Sequence, residues 1–200
     1  ITKLWALLNG LGEVVQCKFC DSEGFNHYEK SLADVIKQLG IANAANFEQE
    51  NAPALDAVVF VDNCCAIKKK IIKCFAENSP YVNGKQMITC SVKLDVFHLL
   101  RRMGRGIAGY HNSDEGAAVQ KALKKVIYSP DRSIAPVGIL KAKLKEYEKS
   151  VAHLNAVEKW ALYPQQFLNF KYHIEKDCIS DPAGWTGKVS RGTNIVEQYH

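Results

Sequence analysis

The chain has 200 residues, of which 47% are hydrophobic and 24% charged. These are ordinary globular values, enough for one sizeable core or one core with a smaller appendage. No apolar run approaches the ~20 residues of a membrane span and no signal peptide opens the chain, so no membrane partner is expected. The formal net charge of +5 leans mildly toward an anionic partner such as nucleic acid.

Seven cysteines stand at positions 17, 20, 64, 65, 74, 90 and 178. They are odd in number and lack the regular framework of a small secreted domain, so they read as reduced thiols in an intracellular compartment. Cys17 and Cys20 form a CxxC, which raises zinc. No second CxxC or His pair at ligand spacing follows, and on an extended strand the two side chains point to opposite faces. Buried strand thiols are the plainer reading.

In chain order, "ITKLWALLN", "GLGE" and "VVQCKFC" predict two strands joined by a short Gly-containing turn. "NHYEKSLADVIKQLG" follows, with Tyr28, Leu32, Val35, Ile36 and Leu39 at helical spacing and Gly40 as the stop. The next strand reads apolar on both faces (Val58, Val59, Phe60, Val61) and ends on Asp62. Such a strand belongs in the middle of a helix-covered sheet, where ligand chemistry collects at the carboxyl ends. Asp62 is therefore either a chemical group or the cap of the helix beginning near Cys65. That helix carries Ile67, Ile71, Ile72 and Phe75 on one side, with Lys68, Lys69, Lys70 and Lys73 around the other. After the turn "NSPYVNGKQ", the strand "MITCSVKL" also ends on a carboxylate, Asp95. The order strand, strand, helix, strand, helix, strand predicts an α/β fold with a mixed sheet and helices on its faces.

Beyond Arg105 the character changes. A Gly-rich hinge, "GRGIAGYHNSD", leads into three stretches of helical period: "EGAAVQKALKKVIYS", "VGILKAKLKEYEKSVAHL" and "AVEKWALYPQQFLNFKYHIEKD". "DPAGWTGKVSRGTN" is loop chemistry, and "NIVEQYH" reads as the first turn of a helix. The chain opens without Met in what reads as mid-strand and stops within that last helical pattern, as expected of a piece of a longer protein. There is no internal repeat and no low-complexity segment.

Taken together, the order of elements resembles the ribonuclease H-like fold. There, three antiparallel strands, a helix, a strand, a helix and a strand carry acidic residues at the ends of the first and fourth strands. The hairpin would supply the second and third strands, "AVVFVDN" the fourth and "MITCSVKLDVFH" the fifth. Within that fold the chain is most similar to DDE-type DNA transposases of the Mutator-like and hAT-like kinds. "DVFH" (Asp95 to His98) matches their (C/D)xxH motif, and "GTNIVEQYH" matches a TNxxE glutamate motif that includes Asn194. The resemblance implies a ribonuclease H-like core over residues 1–105, a helical insertion over 106–180, and a return to the core over 181–200.

It further implies that Asp62 and Glu197 are the second and third catalytic acids and metal ligands, with Asn63, Asn194, Asp95 and His98 in support. The first acid would end a strand lying before Ile1; Asp21, which follows the third strand, is the substitute within the chain and reads equally as a turn or cap residue. The implied cofactor is Mg2+ or Mn2+. The implied partners are the transposon ends and target DNA, in the nucleus, with a homo-oligomer compatible. Lys68, Lys69, Lys70, Arg101, Arg102 and Arg105 are the candidate DNA-binding cations. Trp185 would stack on an unpaired base or serve simply as packing. Lys141, Lys143, Lys145 and Lys149 alternate with Glu146 and Glu148, the pattern of a solvated face. His98 has an equally plain reading as a hydrogen-bonded core residue. Competing functions are a domesticated binding module without catalysis, or another ribonuclease H-like nuclease; the long helical segment argues against the latter.

Overall fold

A computed structural model of the chain describes residues 3–8, 14–20, 24–49, 52–105, 114–131, 133–151 and 163–181. The protein is mixed α/β and divides into two compact units, one up to Val92 and one from Lys93 onward.

In the first unit, β1 (Lys3–Leu8) and β2 (Val14–Cys20) pair antiparallel, Lys3 opposite Cys20, with a register shift between Leu7 and Leu8. This is the expected hairpin. Helix α1 (Glu29–Ala42) packs on β2 and on α3 (Cys64–Asn78). Its buried stripe of Leu32, Ile36 and Gly40 repeats every four residues behind buried Tyr28, as one face of a helix requires. The Tyr28 ring meets Phe25 edge-on at 5.1 Å. Gly40 is not the predicted stop, because the helix runs through it to Ala42. The helix ends at Asn43, whose Nδ2 donates to the Leu39 carbonyl at 2.8 Å. Gly40 has a different use: a Cβ there would lie 3.1 Å from Pro80 Cδ. The short helix α2 (Ala44–Phe47) buries Phe47.

Helix α3 buries Cys64, Ile71, Cys74 and Phe75. Ile72, expected on that face, is 39% exposed, because it lies about 100° around the helix from Ile71. The segment that follows is pinned by backbone geometry. Strands β4 (Tyr81–Val82) and β5 (Lys85–Gln86) form a hairpin whose Asn83 and Gly84 both have positive φ, 51° and 75°, the two-residue turn that Asn-Gly favours. Met87 N–H donates to the Pro80 carbonyl at 2.9 Å, and buried Ile88 N–H donates to Ser79 Oγ at 2.8 Å.

Strand β3 (Leu55–Val61) pairs with β6 (Ile88–Leu94) in a parallel two-stranded sheet. Leu55 N–H donates to the Met87 carbonyl at 2.8 Å where the pair begins. Val58, Val59, Phe60 and Val61 are half-buried rather than fully covered, since β6 is the one strand partner of β3 among the described residues. Those residues form three separate two-stranded pairings, not the single mixed sheet that the sequence suggests.

The second unit is a ring of four helices: α4 (Val96–Arg105), α5 (Asp114–Ile127), α6 (Val137–Val151) and α7 (Tyr163–Glu175). Each packs on two others, in the order α4, α5, α6, α7 and back to α4. The helix predicted after the hinge is confirmed as α5, and α4 packs with it. The ring closes over Leu99, Met103, Leu123, Ile127, Leu140, Leu144, Phe170 and Ile174, all nearly inaccessible. After α7 the chain returns to the end of β6, where Leu94 N–H donates to the Cys178 carbonyl at 2.7 Å. Buried Lys93 is satisfied there by Ser180 Oγ at 3.0 Å and by the Asp177 carbonyl at 3.2 Å, as a buried cation requires. Among the described residues no helix is long and apolar enough to cross a membrane.

Two outcomes follow. Gly40→Val places a branched side chain against the Pro80 ring and should destabilise the chain by about 1–3 kcal/mol, read as a lower urea midpoint. Gly40→Ala, whose clash is offset by a helix-propensity gain of ~1 kcal/mol, should stay close to the parent. Burial pushes the Cys90 thiol up to about 12, with Cys74 beside it adding to the effect. Cys74 is also raised, first by burial and then by Glu29 and Glu77. An unfolded thiol ionises near 8.5, so the folded state binds more protons above that pH and loses stability as pH climbs from there toward 12. Urea midpoints measured across that window should fall, and fall less steeply in Cys90→Ala.

Candidate functional site

Strand β3 ends at Val61, the chain turns through Asp62 and Asn63, and α3 begins at Cys64. The cap position belongs to Asn63, at φ −128° and ψ 60°, without a side-chain cap bond. Asp62 and Asn63 are both exposed.

The second strand end is built differently. Strand β6 ends at Leu94 and α4 begins at Val96. Asp95 between them is 0% exposed. Its Oδ1 accepts the N–H of Phe97 at 2.8 Å and of His98 at 3.4 Å, and its carbonyl accepts Leu99 N–H at 3.1 Å. This is an N-cap, satisfying first-turn donors that no helical carbonyl can reach. A buried carboxylate is costly unless its oxygens are engaged, and Oδ2 of Asp95 lies 4.0 Å from His98 Nε2 one turn on. The His98 ring stands edge-on to Phe97 at 5.6 Å. With its side chain 20% exposed, His98 is not a fully enclosed core residue; it sits over the cap between helix and solvent.

An aspartate thus follows each strand of the β3–β6 pair, one exposed and one buried. Asp62, Asp95 and His98 each offer an atom able to ligate a metal ion. Of the predicted cations, Lys69, Lys70 and Arg101 are exposed, Lys68 and Arg102 half-buried, and Arg105 closes α4. Glu197, Asn194, Trp185 and Asp21 lie outside the described residues. Lys141, Lys145 and Lys149 are exposed on α6, in keeping with a solvated face. Sequence reasoning missed a second group of cations, Lys121, Lys124 and Lys125 on α5. Their i, i+3, i+4 spacing was the available signal, since it gathers all three on one helix face.

No family model, no curated protein and no solved structure matches this chain. Its functional reading rests on its own residues.

Replacing Asp95 tests the cap directly. Asp95→Ala should cost about 1–2 kcal/mol, seen as a lower thermal midpoint. Asp95→Asn, which keeps an oxygen for the Phe97 N–H, should recover most of that loss.

Proposed function

We propose that this chain is part of the catalytic core of a DDE-type DNA transposase with a ribonuclease H-like fold, cleaving and joining DNA strands by metal-assisted phosphoryl transfer. The observation that carries the reading is the aspartate directly after each strand of a parallel pair, at the sheet end where α/β proteins place their chemistry. The two aspartates divide the work. Asp95 has one oxygen committed to the α4 N–H groups and the other near His98, so it is a positioning residue that orients the imidazole. Asp62 is the exposed one of the pair and, on this reading, the acid that meets the metal.

On this reading Asp62 and Glu197 hold Mg2+ or Mn2+, hard cations that suit carboxylate oxygens. When bound, such ions supply an activated water or 3′-hydroxyl and stabilise the leaving oxygen of an in-line displacement. The chain's own part is to present Asp62 at the strand end, hold His98 over the Asp95 cap, and offer phosphate-binding charge from Lys68, Lys69, Arg101, Arg102 and Arg105. In the ribonuclease H-like fold the first acid ends a strand that precedes the hairpin.

The test uses a longer chain begun upstream to include that strand. Incubated with Mg2+ or Mn2+ and a duplex ending in the element's terminal repeats, it should nick the DNA, and Asp62→Asn should lower the rate by at least a hundred-fold while DNA binding persists. Binding to the same duplex without metal-dependent nicking would point instead to a domesticated module.

A further inference from the structure

We propose that the helical unit carries a second, metal-independent site: a groove on α5 and α6 that binds the phosphodiester backbone of nucleic acid. The groove encloses about 560 Å³ and is lined by Lys121, Lys124, Lys125, Tyr128, Ser129 and Lys143, among others. The three α5 lysines share one face through their spacing, and Lys143 approaches from α6. Lys121, Lys124 and Lys125 are exposed and Lys143 half-buried.

Like charges gathered at this spacing repel one another, costing a few tenths of a kcal/mol per pair. A purely structural lysine face would offset that with acids. Elsewhere in the same unit it is offset: Lys171 Nζ sits 2.9 Å from Glu148 Oε1, and Lys93 Nζ 3.4 Å from Asp177 Oδ2. Among the described residues the groove has no such partner: no described carboxylate lines it, and none of its four lysines is ion-paired with a described residue. Four point charges with rotatable donors suit a row of phosphate oxygens, while planar bidentate recognition of carboxylates would call for arginine. Tyr128 and Ser129 also line the groove. Nucleic acid as the occupant deepens the proposed function and rests on it; the site itself requires neither Asp62 nor a cation.

The experiment is fluorescence anisotropy of a labelled 20-base-pair duplex with the 200-residue chain, in EDTA, from 50 to 200 mM KCl. EDTA keeps this readout separate from cleavage, so either reading can fail without the other. Replacing Lys121, Lys124, Lys125 and Lys143 together by Gln, a residue of similar helix propensity, should leave the circular dichroism spectrum unchanged. It should weaken binding more than ten-fold at 50 mM KCl and make the log–log salt slope shallower by about 3 to 4, near 0.9 per lost phosphate contact. A control with the same charge loss elsewhere, Gln at Lys30, Lys37, Lys73 and Lys85, should keep the parent slope. Equal loss in the control would mean diffuse charge rather than a groove. Unchanged binding in the groove variant, or displacement of the duplex by polyglutamate as readily as by unlabelled duplex, would overturn the proposal.

Discussion

Parallel pairing of β3 with β6 is the constraint from which the rest of the strand-bearing unit follows. Parallel neighbours cannot be joined by a tight turn; the chain must leave one end of the first strand and return to the start of the second. Helix α3 makes the return, and the β4–β5 hairpin takes up the remaining chain before Met87. The register is set at the entry to the pair, where the Leu55 N–H meets the Met87 carbonyl and the Ile88 N–H is held by Ser79. The bare Cα of Gly40 lets the helix beside this junction approach Pro80. A defect at any of these points would shift β6 against β3, and a one-residue slip would turn every side chain to the opposite face.

The two strand-end aspartates show how burial distinguishes chemically identical groups. Asp95 is enclosed, and its oxygens face backbone donors and His98, as a buried polar group requires. That commitment makes it a rigid support. Asp62 is exposed, in the turn that leads from β3 into α3. An exposed acid at the end of a sheet strand is where a functional reading has most force.

In the helical unit, apolar stripes turned inward close the four-helix ring, and the lysine-rich faces of α5 and α6 are thereby forced outward. Leu123 and Ile127 face the core while Lys121, Lys124 and Lys125 face solvent, a division dictated by the helical period alone. What the ring adds is convergence, because packing α5 against α6 brings Lys143 to the same groove. Charge that reads as a generic solvated face along one helix becomes a concentrated patch across two.

Local periodicity by itself determined a good deal. The hairpin, α1, α3, β6 and the described helical stretches after Arg105 were legible, because alternation of period 2 or 3.6 is a property of consecutive side chains, whereas the β4–β5 pair read only as a turn. The placement of Asp62 and Asp95 at strand ends was legible for the same reason. Tertiary structure decided what no window of sequence contains: that Gly40 makes room for Pro80 instead of ending a helix, and that Ile72 faces water. It also decided that β3 is half-buried, that Asp95 is spent on a cap, and that lysines from two helices share a groove. Each of these depends on which atoms from distant positions come into contact, and contact between remote segments is set by packing of the whole unit rather than by the pattern along the chain.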